Sequence, residues 1–444
     1  MSDNDNGGKI FLHSVTLDLD KCKGCINCIK RCPTEAIRVR DGKASIISEL
    51  CIDCGQCIRV CQNKAKKANY DDLSVLDNFE YTVALPPPSL YAQFNNIDDQ
   101  KIVLDALKAV GFDDVFEVAA AAEIITAATE RYLTRNKGRL KYPVISTACL
   151  VVTRLISVRY PDLLDNLLPL ITPVELAGKM AKKRASEKTG LSPDKIGCIF
   201  LTPCPAKVSA IHSPIGTEHK YVDAAIAINE VYPLLLKEMK KLGAELPDQQ
   251  PLAGAVGLGW GIIGGESTSL KSTDKHLAAD GIDNVIMVLE DLENHRYGLE
   301  FVELNACSGG CVGGVLQVEN PYIARAKVNK MKSNIKVNDE PLDDDYVKLM
   351  WDKELDYNPA MELGDTMEES FERFTRLQSL IESLPGLDCG SCGAPTCAAF
   401  AEDVVKGNAE VMDCVVLLRR KTEEIYKRME SSFDSVGFSN RTED

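Results

Sequence analysis

Sixteen of the seventeen cysteines fall into four sets of four, and one set is scattered: Cys149, Cys204, Cys307 and Cys311. A compact set such as Cys22, Cys25, Cys28 and Cys32 can be served by a small loop. A set drawn from three distant segments requires a folded domain built around whatever the sulfurs hold, so the function is expected there. Repeated C-x2-C spacings, together with an N-terminus (MSDNDNGGK) that lacks an apolar export signal, favour metal ligation over disulfides and a cytoplasmic location. Thiolate sulfur suits iron–sulfur clusters and zinc alike.

The rest of the composition sets limits. A chain of 444 residues predicts two to four domains. A net charge of −15 argues against nucleic acid and anionic membranes as partners, since both need a basic surface. No run reaches the roughly 18 to 20 apolar residues of a membrane span.

Residues 10–78 contain an internal repeat, "DKCKGCINCIKRCPTEAI" echoed by "ELCIDCGQCIRVCQNKAK". Between about 80 and 335, short apolar runs alternate with amphipathic segments, the pattern of an α/β domain. "KYPVIST", "IGCIFLT" and "FVELN" read as strands, and "ELAGKMAKKRASEK" and "DAAIAINEVYPLLLKEMKKLGAEL" as helices. The expected organisation is a cysteine-rich domain over 1–78, an α/β domain over 79–335, an acidic linker or arm over 336–365, a small helical domain over 366–431 and a polar tail over 432–444.

The N-terminal runs satisfy C-x2-C-x2-C-x3-C twice, the first followed by Pro33, and resemble the bacterial two-cluster ferredoxins. That resemblance implies an α+β module with two [4Fe-4S] clusters. Cys22, Cys25, Cys28 and Cys61 would hold one, and Cys51, Cys54, Cys57 and Cys32 the other. Structural zinc is the alternative, although zinc favours paired C-x2-C units.

In the scattered set, Cys149, Cys204 and Cys307 each follow a β-rich run. Ligands of open α/β sheets bind beyond the carboxyl ends of strands, so these cysteines can converge. Cys311 follows across Ser308-Gly309-Gly310, where glycines let the backbone approach a bulky centre. "STACLVV", "TPCPAKVSA" and "ELNACSGGCVGG" resemble, in order, the three signature loops of the [FeFe]-hydrogenases, approximately TSCCPxW, MPCxxKxxE and ExMxCxGGCxxGG. The resemblance implies a two-lobed α/β domain holding an H-cluster: a [4Fe-4S] cluster joined to a two-iron subsite carrying CO, cyanide and an amine-containing dithiolate. Cys149, Cys204, Cys307 and Cys311 would be its ligands, with Cys311 as the bridge and Lys207 beside a cyanide. Buried structural thiols, or an ordinary cluster, are the alternative. Cys198, inside a strand, reads as an inert buried thiol.

The departures from the family are as informative. The family's second cysteine, which relays protons, is replaced by Ala148, and an alanine methyl carries no proton. "AAEIITAATERYL" resembles the family's proton-path helix. Of that helix's two glutamates, the first is Ala127 here and the second is kept as Glu130. The glutamate of the second loop is Ala210, Thr202 and Asn305 replace methionines, and Leu150 replaces a proline. Losing a positioned acid–base group costs about 100- to 10,000-fold in rate. The pattern resembles the family's sensory branch, and slow reversible H2 cleavage is expected.

The last set, C-x2-C-x4-C-x16-C at Cys389, Cys392, Cys397 and Cys414, resembles the [4Fe-4S] domain of corrinoid iron–sulfur proteins and of Rnf B subunits. Zinc remains open there. The implied partners are H2, protons, the hydrogenase maturation machinery, and a redox partner such as ferredoxin or a signalling protein. The alternatives are a catalytic ferredoxin-linked hydrogenase and a hydrogenase-like carrier or assembly protein lacking the two-iron subsite.

Overall fold

The computed structural model describes residues 13–97, 100–242, 250–294, 298–335 and 346–435. Contacts divide the described residues into two compact units. One comprises the described residues of 1–16, Cys51–Arg59 and 66–358, and the other Leu17–Leu50, Val60–Ala65 and the described residues of 359–444.

The larger unit is α/β, as expected, with two separate parallel sheets. In the first, the strand order is Asp114–Val115, Tyr81–Leu85, Ile196–Thr202, Ala224–Ala227. All seven residues of Ile196–Thr202 are buried, as a parallel strand covered on both faces requires. Its side chains alternate between two cores. Ile199 and Leu201 join Leu90, Leu104 and Leu107 on one face, while Ile196, Cys198 and Phe200 join Val174 and Ala177 on the other. The second sheet has the order His276–Asp280, Phe301–Asn305, Val144–Ile145.

The segment expected as one helix from Asp223 begins instead with the Ala224–Ala227 strand, and the helix runs from Ile228 to Leu242. Alanine favours helix locally. Here, however, the pairing of Ile199–Thr202 with Ala224–Ala227 buries all four of its residues, and tertiary structure overrides propensity.

The segment expected as a linker over 336–365 lies partly outside the described residues, at 336–345. Its residues 346–358 are built into the larger unit, and those from Pro359 into the smaller. Tyr346 is buried beside Val144 and Phe301, and Trp351 packs with the Ile196–Phe200 core. The Ile171 N–H donates to the Leu349 carbonyl, and the Trp351 N–H to that of Pro169, both at 2.9 Å. Gly216, at φ +75°, lies under the Trp351 ring, where a Cβ would come within 2.4 Å.

The smaller unit joins an antiparallel hairpin, Ile37–Arg40 with Lys43–Ile46, to three helices: Met367–Ser383, Cys397–Val405 and Val415–Ser435. Thr366 and Thr396 cap the first two by accepting from Glu369 and Ala399 N–H groups. The C-terminal part is mostly helical, as expected, but Ser432–Ser435, read as tail, continue the last helix. Asp403, buried, accepts from Arg38 Nε at 2.6 Å, Arg38 Nη2 at 2.9 Å and Arg40 Nη2 at 2.7 Å. Gly393, at φ +85°, receives the Val39 N–H on its carbonyl, and a Cβ there would meet the Val39 carbonyl oxygen at 1.8 Å. No helix of the described residues is long and apolar enough to cross a membrane.

Candidate metal centre

Each scattered cysteine sits where a strand gives way to a helix or turn. Val144–Ile145 leads through Ser146 and Thr147 to Cys149, which stands at the N-cap of Leu150–Arg159. Ile196–Thr202 leads to Cys204, the N-cap of Pro205–His212, with Pro205 filling the first helical position. Phe301–Asn305 leads to Cys307, and Cys311 opens a single tight turn to Gly313. Two of the four sulfurs therefore lie at helix N-termini, where the backbone dipole favours negative charge.

The four come together. Charge on Cys204, Cys149 or Cys311 raises the Cys307 thiol, and charge on Cys204 or Cys149 raises that of Cys311. Burial is the larger cause in each case. It pushes Cys307 well above its ordinary value, Cys311 up to about 12, and Cys204 up. Four mutually repelling thiols held in one place gain greatly from a cationic centre that takes them as thiolates, and the all-sulfur donor set suits an iron–sulfur cluster. A Cβ on Gly310, at φ +92°, would come within 2.6 Å of Ile263 N, so only glycine lets the Cys307–Cys311 loop close.

Lys207, one turn into the Pro205–His212 helix, donates to the Ala148 carbonyl at 3.3 Å and lowers the Cys204 and Cys311 thiols through its charge. It thus lies beside Ala148. Glu175 shares a pocket with Lys207, Leu150, Ala210 and His219. Burial raises the Glu175 carboxyl, and the Thr172 N–H and O–H donate to it at 2.8 and 2.9 Å. Thr202 turns its hydroxyl to the Cys204 carbonyl, and Asn305 donates to Glu303. Glu130 accepts the Lys271 N–H at 2.9 Å.

Three features of this region carry no sequence signal. Arg59 donates to the Gly313 carbonyl at 2.7 Å and lowers the Cys307 thiol. Asp53, at φ +55°, accepts from Arg154 at 2.7 Å, from Ser209 at 2.5 Å and from the Ser14 and Val15 N–H groups. Arg154 lies on the helix begun by Cys149, and Ser209 on that begun by Cys204, so Cys51–Arg59 is fastened to both. The third feature is a carboxyl pair. Ser146 donates to Glu266 at 2.5 Å, and Glu303 accepts from the Gly264 and Ser267 N–H groups. Burial and the neighbouring Glu303 push Glu266 up to about 8, and burial raises Glu303. Each rests on charged residues with no tell-tale spacing.

Among the remaining cysteines, Cys22, Cys25, Cys28, Cys32 and Cys61 belong to the smaller unit, and Cys51, Cys54 and Cys57 to the larger. In the C-terminal set, Cys389 is lowered by donation from Ser391, whereas burial and then the charges of Cys414 and Cys389 raise Cys392. Cys397 donates its N–H to Asp388 at 2.6 Å. Cys198 is buried in its strand, its thiol pushed up to about 12, as an inert thiol should be. None of the seventeen is disulfide-bonded.

Comparison with known proteins adds three family matches. The model for the iron only hydrogenase large subunit, C-terminal domain, matches residues 80–265 and 264–315. The model for a 4Fe-4S dicluster domain matches residues 14–62, and the FeS model matches residues 384–416. The chain is 25% identical over 375 residues to the NADP-reducing hydrogenase subunit HndD of Solidesulfovibrio fructosivorans, covering 68% of this chain and 64% of that protein. It is 23% identical over 398 residues to iron hydrogenase 1 of Clostridium pasteurianum, covering 74% and 69%. It is also 22% identical over 376 residues to cytosolic iron-sulfur assembly component 3 of Pongo abelii, covering 72% and 75%. The chain thus spans just under two thirds of HndD's length.

Proposed function

Because residues 80–315 place the chain in the family of the iron only hydrogenase large subunit, C-terminal domain, we propose that it is a sensory hydrogenase. In this reading it binds and slowly, reversibly cleaves H2. The observation that carries the reading is the convergence of Cys149, Cys204, Cys307 and Cys311 at strand ends, with Lys207 bonded to the carbonyl of Ala148. The four thiolates would hold an H-cluster, with Cys311 as the bridge; when bound, that centre supplies the hydrogen chemistry.

The protein's own residues supply the surroundings. Lys207 offers a fixed ammonium to an anionic ligand, and its tie to Ala148 orients it. Ala148 removes the proton carrier at the point where the family places one, which slows turnover. The Glu266 carboxyl, pushed up to about 8 by burial and the nearby Glu303, accepts from Ser146, two residues before Ala148. Arg59 and the Asp53–Arg154 pair keep Cys51–Arg59 against the quartet, which favours electron passage from a cluster on Cys51, Cys54 and Cys57. We assign [4Fe-4S] clusters to the remaining ferredoxin-like and C-terminal cysteines, and a redox or signalling protein as the recipient of the electrons.

A second reading rests on the similarity to the iron–sulfur assembly component over 72% of the chain: a hydrogenase-like iron–sulfur protein without the two-iron subsite. Infrared spectroscopy of protein produced with the maturation machinery separates the two. CO and cyanide bands that shift under H2 are expected; a spectrum without them assigns the chain to the second reading. Rapid turnover would instead favour a catalytic, ferredoxin-linked hydrogenase.

A further inference from the structure

The last helix, Val415–Ser435, has a pattern that the cluster chemistry does not use. Val415, Leu418, Thr422, Ile425 and Met429 follow the alternating three- and four-residue spacing of the a and d positions of a heptad. The seam is uncovered: Val415, Leu418, Ile425 and Met429 are each about half exposed, and Tyr426 beside them is 64% exposed. The helix has 21 residues and so spans about 31 Å, long enough for three heptads. Its start is anchored, because Val416 and Leu417 pack on the core formed with Leu384, Phe400 and Cys414. The seam is therefore presented from a fixed base.

Spacing of this kind is complementary to another helix, and the flanking charges say which kind. The e and g positions are Arg419, Lys421, Tyr426 and Arg428, whereas Glu423, Glu424 and Glu430 occupy b and c positions on the other side. Arg419 and Lys421 make only exposed contacts within the helix, to Glu423 at 3.1 Å and Glu424 at 3.5 Å, which a partner can replace at little cost. In an antiparallel pair with a second copy, Lys421 would face Arg428 across the seam, like charge against like. A helix edged with carboxylates meets complementary charge on both sides of the seam, although the chain as a whole carries −15.

We propose that Val415–Ser435 is a docking helix for a partner protein that lays an amphipathic helix, its apolar seam edged by aspartate or glutamate, along Val415, Leu418, Ile425 and Met429. This is independent of whether the quartet carries a two-iron subsite. It gives a chain with several cluster sites a place to engage a recipient.

The test uses the full-length, iron-loaded protein and two fluorescein-labelled synthetic helices of the same length, both with leucine at a and d. One carries glutamate at e and g and the other lysine. Anisotropy titration should find the glutamate peptide bound about tenfold or more tightly than the lysine peptide at low salt, with the gap closing as salt rises. Ile425→Glu with Met429→Glu should abolish binding while leaving iron content and cluster absorbance unchanged. Equal affinity for the two peptides, or binding of neither, overturns the proposal. So does a concentration-dependent dimer, seen by sedimentation equilibrium and abolished by the same substitutions, which would assign the seam to a second copy.

Discussion

The quartet of the larger unit and the C-terminal set of the smaller one are both four cysteines, yet the C-terminal set contains a thiol that its own loop lowers. Cys389 sits in a tight loop whose own N–H and hydroxyl groups at Ser391 lower its thiol. Cys307 and Cys311 follow one strand and meet Cys149 and Cys204 from two others in a buried place where desolvation and then the neighbouring cysteines' charge raise them. A loop can stabilise a thiolate from within a few residues, whereas a site assembled by a whole domain leaves that work to the metal. The scattered site is therefore the more dependent on its occupant, and the more specific for it.

The sharpest way to break this contrast is to remove one sulfur from each. Cys307→Ala should abolish the CO and cyanide bands of matured protein completely and remove the iron of that centre. Cys397→Ala should leave the bands in place and lower iron content alone. If the bands survive Cys307→Ala, the quartet does not hold the two-iron subsite.

The two units can also be separated by stability. Asp53→Ala removes the carboxylate that Arg154, Ser209 and the Ser14 and Val15 N–H groups share, whereas Asp403→Ala removes the one shared by Arg38 and Arg40. Breaking such a buried pair from one side costs about 3–5 kcal/mol. Calorimetry should show Asp53→Ala lowering one transition and Asp403→Ala another. If both substitutions lower a single shared transition equally, the units do not melt independently.

Between these effects and the smallest lies the relay. Ala148→Cys restores a thiol at the position bonded through its carbonyl to Lys207, and hydrogen turnover should rise by about 100-fold, measured by gas chromatography on matured protein. An unchanged rate would mean that proton delivery is not what limits this site.

Legibility followed the same divide. The strands of "IGCIFLT" and "FVELN" and the helix of "ELAGKMAKKRASEK" were visible because apolar period and cap chemistry agree there, down to the Thr172–Glu175 capping box. The cysteine sets were visible because spacing is the signal. Residues 224–227 were not, because alanines carry little strand preference and only pairing with Ile196–Thr202 makes them one. Nor were Tyr346 and Trp351, whose acidic surroundings hide two anchors of the core. Asp53, Arg154 and Glu266 act through partners far away in sequence, which no local pattern records.

Glu266 provides the smallest and most particular test, because its effect appears as a slope rather than a loss. In the unfolded chain a glutamate ionises near 4.5, whereas in the folded protein burial and the nearby Glu303 hold Glu266 up to about 8. Between those values the native state binds the extra proton, so this group's contribution falls as pH rises through that window, by at most about 1.4 kcal/mol per unit for one proton. Glu266→Gln keeps the shape and the bond from Ser146 but cannot ionise. Melting temperatures measured from pH 5 to 8.5 should therefore decline less steeply in the variant, with the two proteins closest at the acid end and the variant the more stable near pH 8. Parallel curves would mean that the native carboxyl is already ionised in this range, and that Ser146 faces a carboxylate with no proton to hold beside Ala148. That outcome would remove Glu266 from any account of the site's slow proton traffic while leaving the contrast between the two cysteine sets intact.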